Sequence, residues 1–536
     1  MKWYLLILMM ITLLFSSGCT MKTMTGDRVS ADEKLYAADH IYMKVEQKSF
    51  QAPIPAYQAV HIEKQEIPTL TYESKAEVEF DSALFPEKYT DVPGVLTFRG
   101  NHNRTAPAYG SISTNVSHIE KAWNFRTGSH HKWGGGAGWT GQPSIITWDD
   151  EVRAIMNVDE SFKHQKGFTE VIYGSLDGSV YFAELESGIQ TRPPIKVGGP
   201  IKGSVSIDPR GYPLLYVGQG IPESPIGYRI FSLIDGSELF FISGVDPWAY
   251  RGWGAFDGAA LINRELDQLV LGGENGLFYH ANLNTTFDLE QKTISVKPEI
   301  KKGRYKVANN SHQGIENSIA VYRNIAYFAD NGGSVIAINL EDSTPIFALE
   351  ATDDTDATIV IDEEENHPFI YTGTEVDHQG SFGDCLLRKI DGITGEVIWS
   401  LSYPAYSIPD VNGGMLATPI VGKEEIDHLV IFTIARNDTI NGGLMVAVNK
   451  ETGEEEWRLL MTNYAWSSPV DVYTDNGDVY ILQADSAGNM HLISAHSGEV
   501  LDVMNLGANV EASPAVYNNY VVVASRGGEV FGLKLN

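Results

Sequence analysis

Four carboxylates, Asp257, Glu316, Asp356 and Glu511, fall at nearly one position relative to a short small-to-apolar segment that accompanies each of them. Carboxylates converging from several such segments could hold a calcium ion, which takes six to eight oxygen ligands at about 2.3–2.6 Å. The plainer use of such groups is to accept hydrogen bonds from neighbouring backbone amides. The stretches leading into the same segments are rich in aromatic and charged residues: Trp133 and Trp139, then Trp248, Tyr250, Arg251 and Trp253, then His312, Tyr406, Tyr464 and Trp466. Aromatic rings that converge while exposed form a binding surface for a glycan, a peptide or a flat cofactor. Turned inward, the same rings would pack on the scaffold. No Gly-x-Ser-x-Gly elbow, His-Glu-x-x-His pair or phosphate-cradling loop occurs, so no catalytic residue is assigned. His102 and His130-His131 are too isolated to form metal sites, and the turns beginning at Asp330, Asp438 and Asp485 read as ordinary hairpin chemistry.

These residues need a scaffold that repeats. The stretch 444–457 runs as an alternating apolar strand, a polar corner ending in Thr452-Gly453, and a new strand bearing Trp457, which is the pattern of a hairpin. A segment that starts small and becomes apolar, such as 467–470, opens each unit. Eight such openings occur, at 141–146, 203–207, 257–261, 317–321, 357–361, 417–421, 467–470 and 512–516. Small residues suit the innermost strand where many sheets crowd round an axis. A four-stranded unit repeated every 40–60 residues or so predicts an all-β, eight-bladed β-propeller of four-stranded blades around an empty hub. The eighth unit stops after its third strand. The strand around Trp123 has the composition to fill the gap, which predicts that Glu120–Phe125 pairs with Glu529–Leu533 and removes an exposed edge.

The chain has 536 residues, 43% of them hydrophobic, and a formal net charge of −30. Such a field repels nucleic acid, which argues against a nucleic-acid partner. Residues 1–18 read as an export signal: Lys2, an apolar run too short to span a bilayer, and Ser16-Ser17-Gly18 before Cys19. Small residues directly before a Cys resemble the lipobox of bacterial lipoproteins, although Ser16 replaces the usual Leu. The resemblance implies lipidation at Cys19, an extracytoplasmic location and a membrane anchor. Residues 19–85 form the expected tether and extended N-terminal segment, with a short helix over 30–47, and residues 86–536 form the propeller. Cys385, the other Cys, is expected to be a small buried residue.

The pattern Ala-x-Asn-x-x-Thr-Gly-x-x-x-Trp in Ala447–Trp457, with weaker copies at 389–399 and 493–502, resembles the quinoprotein-type (PQQ-like) propeller repeat. The Phe98-Arg99-Gly100 and Arg104-Thr105 stretch resembles a segment of the same proteins. On physical grounds it is a loop with two cations, expected to clamp carboxylates in so acidic a chain. The resemblance implies one of two branches. One contains quinone- and calcium-dependent dehydrogenases, many of which carry a Cys-Cys pair that this chain lacks. The other contains non-catalytic lipoproteins such as the outer-membrane assembly (BamB) family. The leading expectation is a monomeric lipoprotein without cofactor that binds a protein or cell-surface polymer. The alternatives are a PQQ- and Ca-dependent dehydrogenase and a carbohydrate-binding propeller.

Overall fold

The computed structural model describes residues 70–76 and 82–536, apart from 113, 114, 222, 224 and 410. The export signal, Cys19 and the expected 30–47 helix lie outside the described residues. Among those described, eight sheets of four to six strands, antiparallel except where Ala108–Tyr109 joins the last in parallel, follow one another along the chain, over 144–196, 206–243, 261–307, 320–348, 360–406, 413–461, 470–505 and 515–535. They are numbered here as blades one to eight of a β-propeller. The fourth strand of blade eight is Ile119–Arg126, antiparallel to Glu529–Leu535, with Trp123 opposite Gly532. Two short helices, Asp150–Ile155 and Glu160–Lys163, interrupt blade one, and a small hairpin over 286–295 interrupts blade three. Neither insertion shows a long enough period to be read from sequence.

Among the described residues the apolar core is divided rather than central. Eight apolar clusters each join one blade to the next, including Ile145, Val171 and Tyr173 of blade one against Trp123, Ala515, Val522 and Val530 of blade eight. Because each sheet presents two apolar faces, a closed circle is what removes all of them from water. The Gly and Trp of the repeat serve these interfaces. The Trp399 indole N–H donates to Lys450 O at 2.9 Å, Trp457 to Ala495 O at 2.9 Å and Trp123 to Leu185 O at 2.7 Å. Each acceptor stands three residues before a corner glycine of the next blade: Gly453, Gly498 and Gly188. A methyl at these glycines would sit 3.1, 2.5 and 2.5 Å from the respective indole, and all three have a left-handed φ of 67–73°. The Thr/Ser-Gly corner is thus the seat for the preceding blade's Trp.

The hub is not empty, contrary to the expectation from sequence. Residues 93–108 wind through it and bond to the innermost strands in turn. Thr147 N–H donates to Pro93 O, Ile207 N–H to Leu96 O, Val321 N–H to His102 O, Ile361 N–H to Asn103 O and Val516 N–H to Pro107 O, at 2.8–3.2 Å. Arg99 and Arg104 do not clamp carboxylates, which corrects the second expectation. Arg99 donates to Pro419 O and Pro469 O at 2.9 and 2.5 Å; Arg104 donates to Phe98 O, Ile319 O and Ala259 O at 2.8, 2.8 and 3.0 Å. The inner strands turn carbonyls toward the axis, and a five-donor planar guanidinium can serve several at once. Further out, Leu70–Ala76 adds a strand to the rim of blade three, and Ala83 and Phe85 are buried between blades three and four. The chain therefore joins the propeller before residue 86.

Candidate functional site

A cavity opens among the loops at one end of the propeller. Asp257, Glu316 and Asp356 stand at the mouth end of their inner strands, and residues only a few positions on, such as Ala259, Ile319 and Ile361, bond to the hub segment. The cavity measures about 350 Å³ and is lined from blades one to seven, by Trp133, Trp139, Lys202, Arg251, Trp253 and Glu316 on one side and by Asp354, Asp356, Glu375, Asn412 and Trp466 on the other. Two kinds of loop build it. The longer loops between blades carry the tryptophans and most of the acids, while a tight turn between second and third strands brings in Asn331, and another places Glu274, buried, beside Asp257 and Glu316.

Charge is unevenly met within the cavity. Lys202 Nζ lies 2.8 Å from Asp257 Oδ2 and 3.1 Å from Glu316 Oε1, with its ammonium 5.1 Å from the centre of the Trp139 ring. Arg251 Nη1 donates to Asn331 Oδ1 at 2.7 Å and lies 3.8 Å from Glu274 Oε2. Asn331 Nδ2 donates to Glu316 Oε2 at 3.0 Å. Among the described residues, Asp257, Glu274 and Glu316 form a group whose ligand atoms all lie within 4.8 Å of one another. That spacing and an oxygen-only donor set suit a calcium-sized ion, and Glu274 Oε1 is buried without a hydrogen-bond partner. These three residues would hold such an ion, with Lys202 displaced from two of them.

Burial alone would raise Glu316, but the charges of Lys202 and Arg251 prevail and hold it below the usual carboxylate range. Its neighbours go the other way. Burial, then the negative charges of Glu316 and Asp257, holds Glu274 well above that range. Burial also raises Asp354, Asp356 and Glu375, reinforced by their mutual repulsion and by Glu316 and Asp377. Burial and like charge therefore favour the protonated forms of Asp354, Asp356 and Glu375. An acid with a raised pKa in the folded state favours folding at low pH, and that contribution is lost as pH rises from the ordinary carboxylate range through the raised value. Asp356→Asn is therefore expected to raise the thermal midpoint by a few degrees at pH 8 and by much less at pH 4. Scanning calorimetry across that range checks this; equal shifts at both pH values would refute it.

The structure separates the residues singled out from sequence. Trp133, Trp139, Arg251, Trp253 and Trp466 line the cavity. Trp248 and Tyr250 instead stack on Arg304, at 4.7 and 4.8 Å. His312 stacks on His378 at 4.6 Å, Tyr406 meets Phe382 at 5.0 Å, and Tyr464 is buried beneath Arg436 at 4.0 Å. None of these five lines the cavity. Asp257 and Glu316 come together, with ligand atoms within 4.8 Å of each other. Asp356 lines the cavity but lies outside their 4.8 Å group, as does Glu511, which accepts from Asn509 Nδ2 at 2.8 Å and lies 3.8 Å from Arg526. Sequence reasoning missed Lys202, Glu274 and Glu375. Glu274 stands in a Gly-Gly-Glu-Asn-Gly turn, and every such turn shares an end of the propeller with the loops between blades, so position in the repeat was the available signal. Cys385 is buried in blade five, where burial raises its thiol to about 12, and it takes no part in the mouth.

Eight blades in this arrangement, with the Trp-to-Gly seating of the repeat, define a PQQ-like β-propeller. Residues 441–535 match the family described as outer membrane protein assembly factor BamB. Among solved structures the chain is similar to the quinohemoprotein alcohol dehydrogenase ADHIIG from Pseudomonas putida HK5, with 12% identity over 83% of this chain and 80% of that one and a TM-score of 0.55. It is likewise similar to the quinohemoprotein alcohol dehydrogenase from Comamonas testosteroni, with 12% identity over 82% and 80% and a TM-score of 0.55. BamB from Moraxella catarrhalis aligns with 16% identity over 73% of this chain and 98% of that one, with a TM-score of 0.46. At such identities the likeness to the two dehydrogenases establishes the fold alone. No curated protein sequence matches the chain.

Proposed function

We propose that this is an extracytoplasmic lipoprotein, anchored through a lipid on Cys19, whose propeller holds a protein or cell-envelope polymer at its mouth without turning it over. The observation that carries the reading is the mouth: a cavity of about 350 Å³ walled by tryptophans and acids. Trp253, 41% exposed at its rim, offers a partner apolar area. The lipobox-like Ser16-Ser17-Gly18-Cys19 supports the anchor, and the match of residues 441–535 to an assembly-factor family supports a scaffold role. A pull-down from native membranes, comparing the parent with a Trp133→Ala, Trp253→Ala variant, tests it. Loss of a specific captured partner is expected. Oxidation of alcohols or sugars by the purified protein supplied with quinone and Ca²⁺ would overturn the non-catalytic reading. That second reading, a quinone-dependent dehydrogenase, is favoured by the Asp257, Glu274 and Glu316 group.

A further inference from the structure

The mouth is electrostatically divided. On one side the chain supplies its own ammonium, Lys202 Nζ, seated on two carboxylates and facing the Trp139 ring. The other side carries acids without a cation. Glu375 is 1% exposed and Asp356 7%. Asp354 Oδ1, Asp356 Oδ1 and Glu375 Oε1 receive no hydrogen bond from any N–H or hydroxyl, while Asn412 Nδ2 serves only the other oxygen of Glu375, at 2.9 Å. An independent feature points the same way. Trp466, 5% exposed and lining the same cavity, has an indole N–H with no acceptor. Orphaned buried acceptors and an orphaned buried donor each destabilise a fold, so both kinds lining one cavity mark a place where a ligand completes the bonding.

We propose that this half of the mouth binds a primary ammonium group carried by the ligand, with Trp466 Nε1–H donating to a hydroxyl or carbonyl oxygen beside it, the functional-group pattern of an amino sugar. The proposal rests on the mouth being the partner-binding surface and names what the partner presents there. The Lys202 arrangement shows the required geometry in the same cavity: carboxylate oxygens at about hydrogen-bond distance and an indole face near 5 Å. On binding, the ammonium keeps its protons, and a proton held by the Asp356 and Glu375 pair leaves to solvent. Asp354, Asp377, Glu316, Asp257 and Lys202 are the other charged groups acting on that pair.

Isothermal titration of the full chain in detergent at pH 7, with glucosamine, glucose and N-acetylglucosamine, tests this. Glucosamine is expected to bind at least about tenfold more tightly than the two neutral sugars, the gain of one charge-assisted contact. Its heat should vary with the ionisation enthalpy of the buffer, reporting the released proton. Asp356→Asn with Glu375→Gln should abolish the preference, and Trp466→Phe, which keeps the ring and removes the N–H, should weaken glucosamine several-fold. The double variant is expected to gain stability at this pH, so a thermal midpoint at or above the parent's separates lost binding from lost folding. Equal affinities for the three sugars, no glucosamine binding, or unchanged binding by the folded double variant would each overturn the ammonium assignment. If the parent still captures a membrane partner through Trp133 and Trp253, such a result leaves the partner-binding reading standing.

Discussion

Arg104→Met is expected to prevent accumulation of the folded protein, or to lower its denaturation midpoint by an amount corresponding to about 5 kcal/mol. The guanidinium is fully buried and joins blades three and four to the hub segment through Ala259 O, Ile319 O and Phe98 O. Burial brings its pKa down to about 10, so it stays charged at neutral pH, with carbonyl dipoles in place of a carboxylate partner. Methionine matches the length but leaves three carbonyls unserved, each a loss of about 1–3 kcal/mol. Whole-domain stabilities are typically about 5–15 kcal/mol, so the variant falls near the threshold. Arg104→Lys keeps the charge but can no longer span three acceptors in a plane, and should fall between parent and Met. Tryptophan fluorescence against urea reads the result. A midpoint for Arg104→Met within error of the parent would show that the hub segment merely occupies space.

Trp123→Ala should cost about 3–5 kcal/mol, the range for deleting a large buried aromatic. Trp123 is 8% exposed, its N–H donates to Leu185 O, and its ring covers both Gly188 of blade one and Gly532 of blade eight. It therefore holds one blade to its neighbour and one strand to its partner. Trp399→Ala removes the equivalent seat on Gly453 without touching a strand donated from elsewhere in the chain. Comparing the two separates the value of the seat from that of the latch. Limited proteolysis should cut the Trp123 variant preferentially within 113–126, whereas the Trp399 variant should lose resistance more evenly. Equal patterns would mean that the strand at 119–126 is held by its backbone bonds alone.

The blades were legible from sequence because their signal repeats: each unit announces a small-to-apolar inner strand, and several add a Thr/Ser-Gly corner or a Trp. What repetition hides is which copy touches which. Gly453 and Trp457 stand four residues apart in one motif, yet Gly453 meets Trp399 of the preceding blade and Trp457 meets Gly498 of the following one. The hub segment carries no period at all, and its arginines were assigned to carboxylates because the chain is so acidic; their true acceptors are backbone atoms, which composition cannot reveal. In the mouth, Asp257, Glu316 and the lining tryptophans were reachable from their register. Trp248, Tyr250 and Tyr464 share that register and are drawn away by Arg304 and Arg436, which depends on side-chain reach across blades.

Asn124 bonds to Glu529 across 405 positions of chain, and the separation fixes the order in which folding can finish. Contacts so remote in sequence form slowly, because closing so long a loop must precede the reward of making them. During synthesis the ribosome delivers the strand at 119–126 early, and that strand must wait for blades one to seven before its neighbour exists. Until then the growing arc has two sticky rims, open to chaperones and to other nascent chains alike. Assembly of this protein is for that reason a single late event, and whatever guards it in the cell has to guard it for the whole length of its translation.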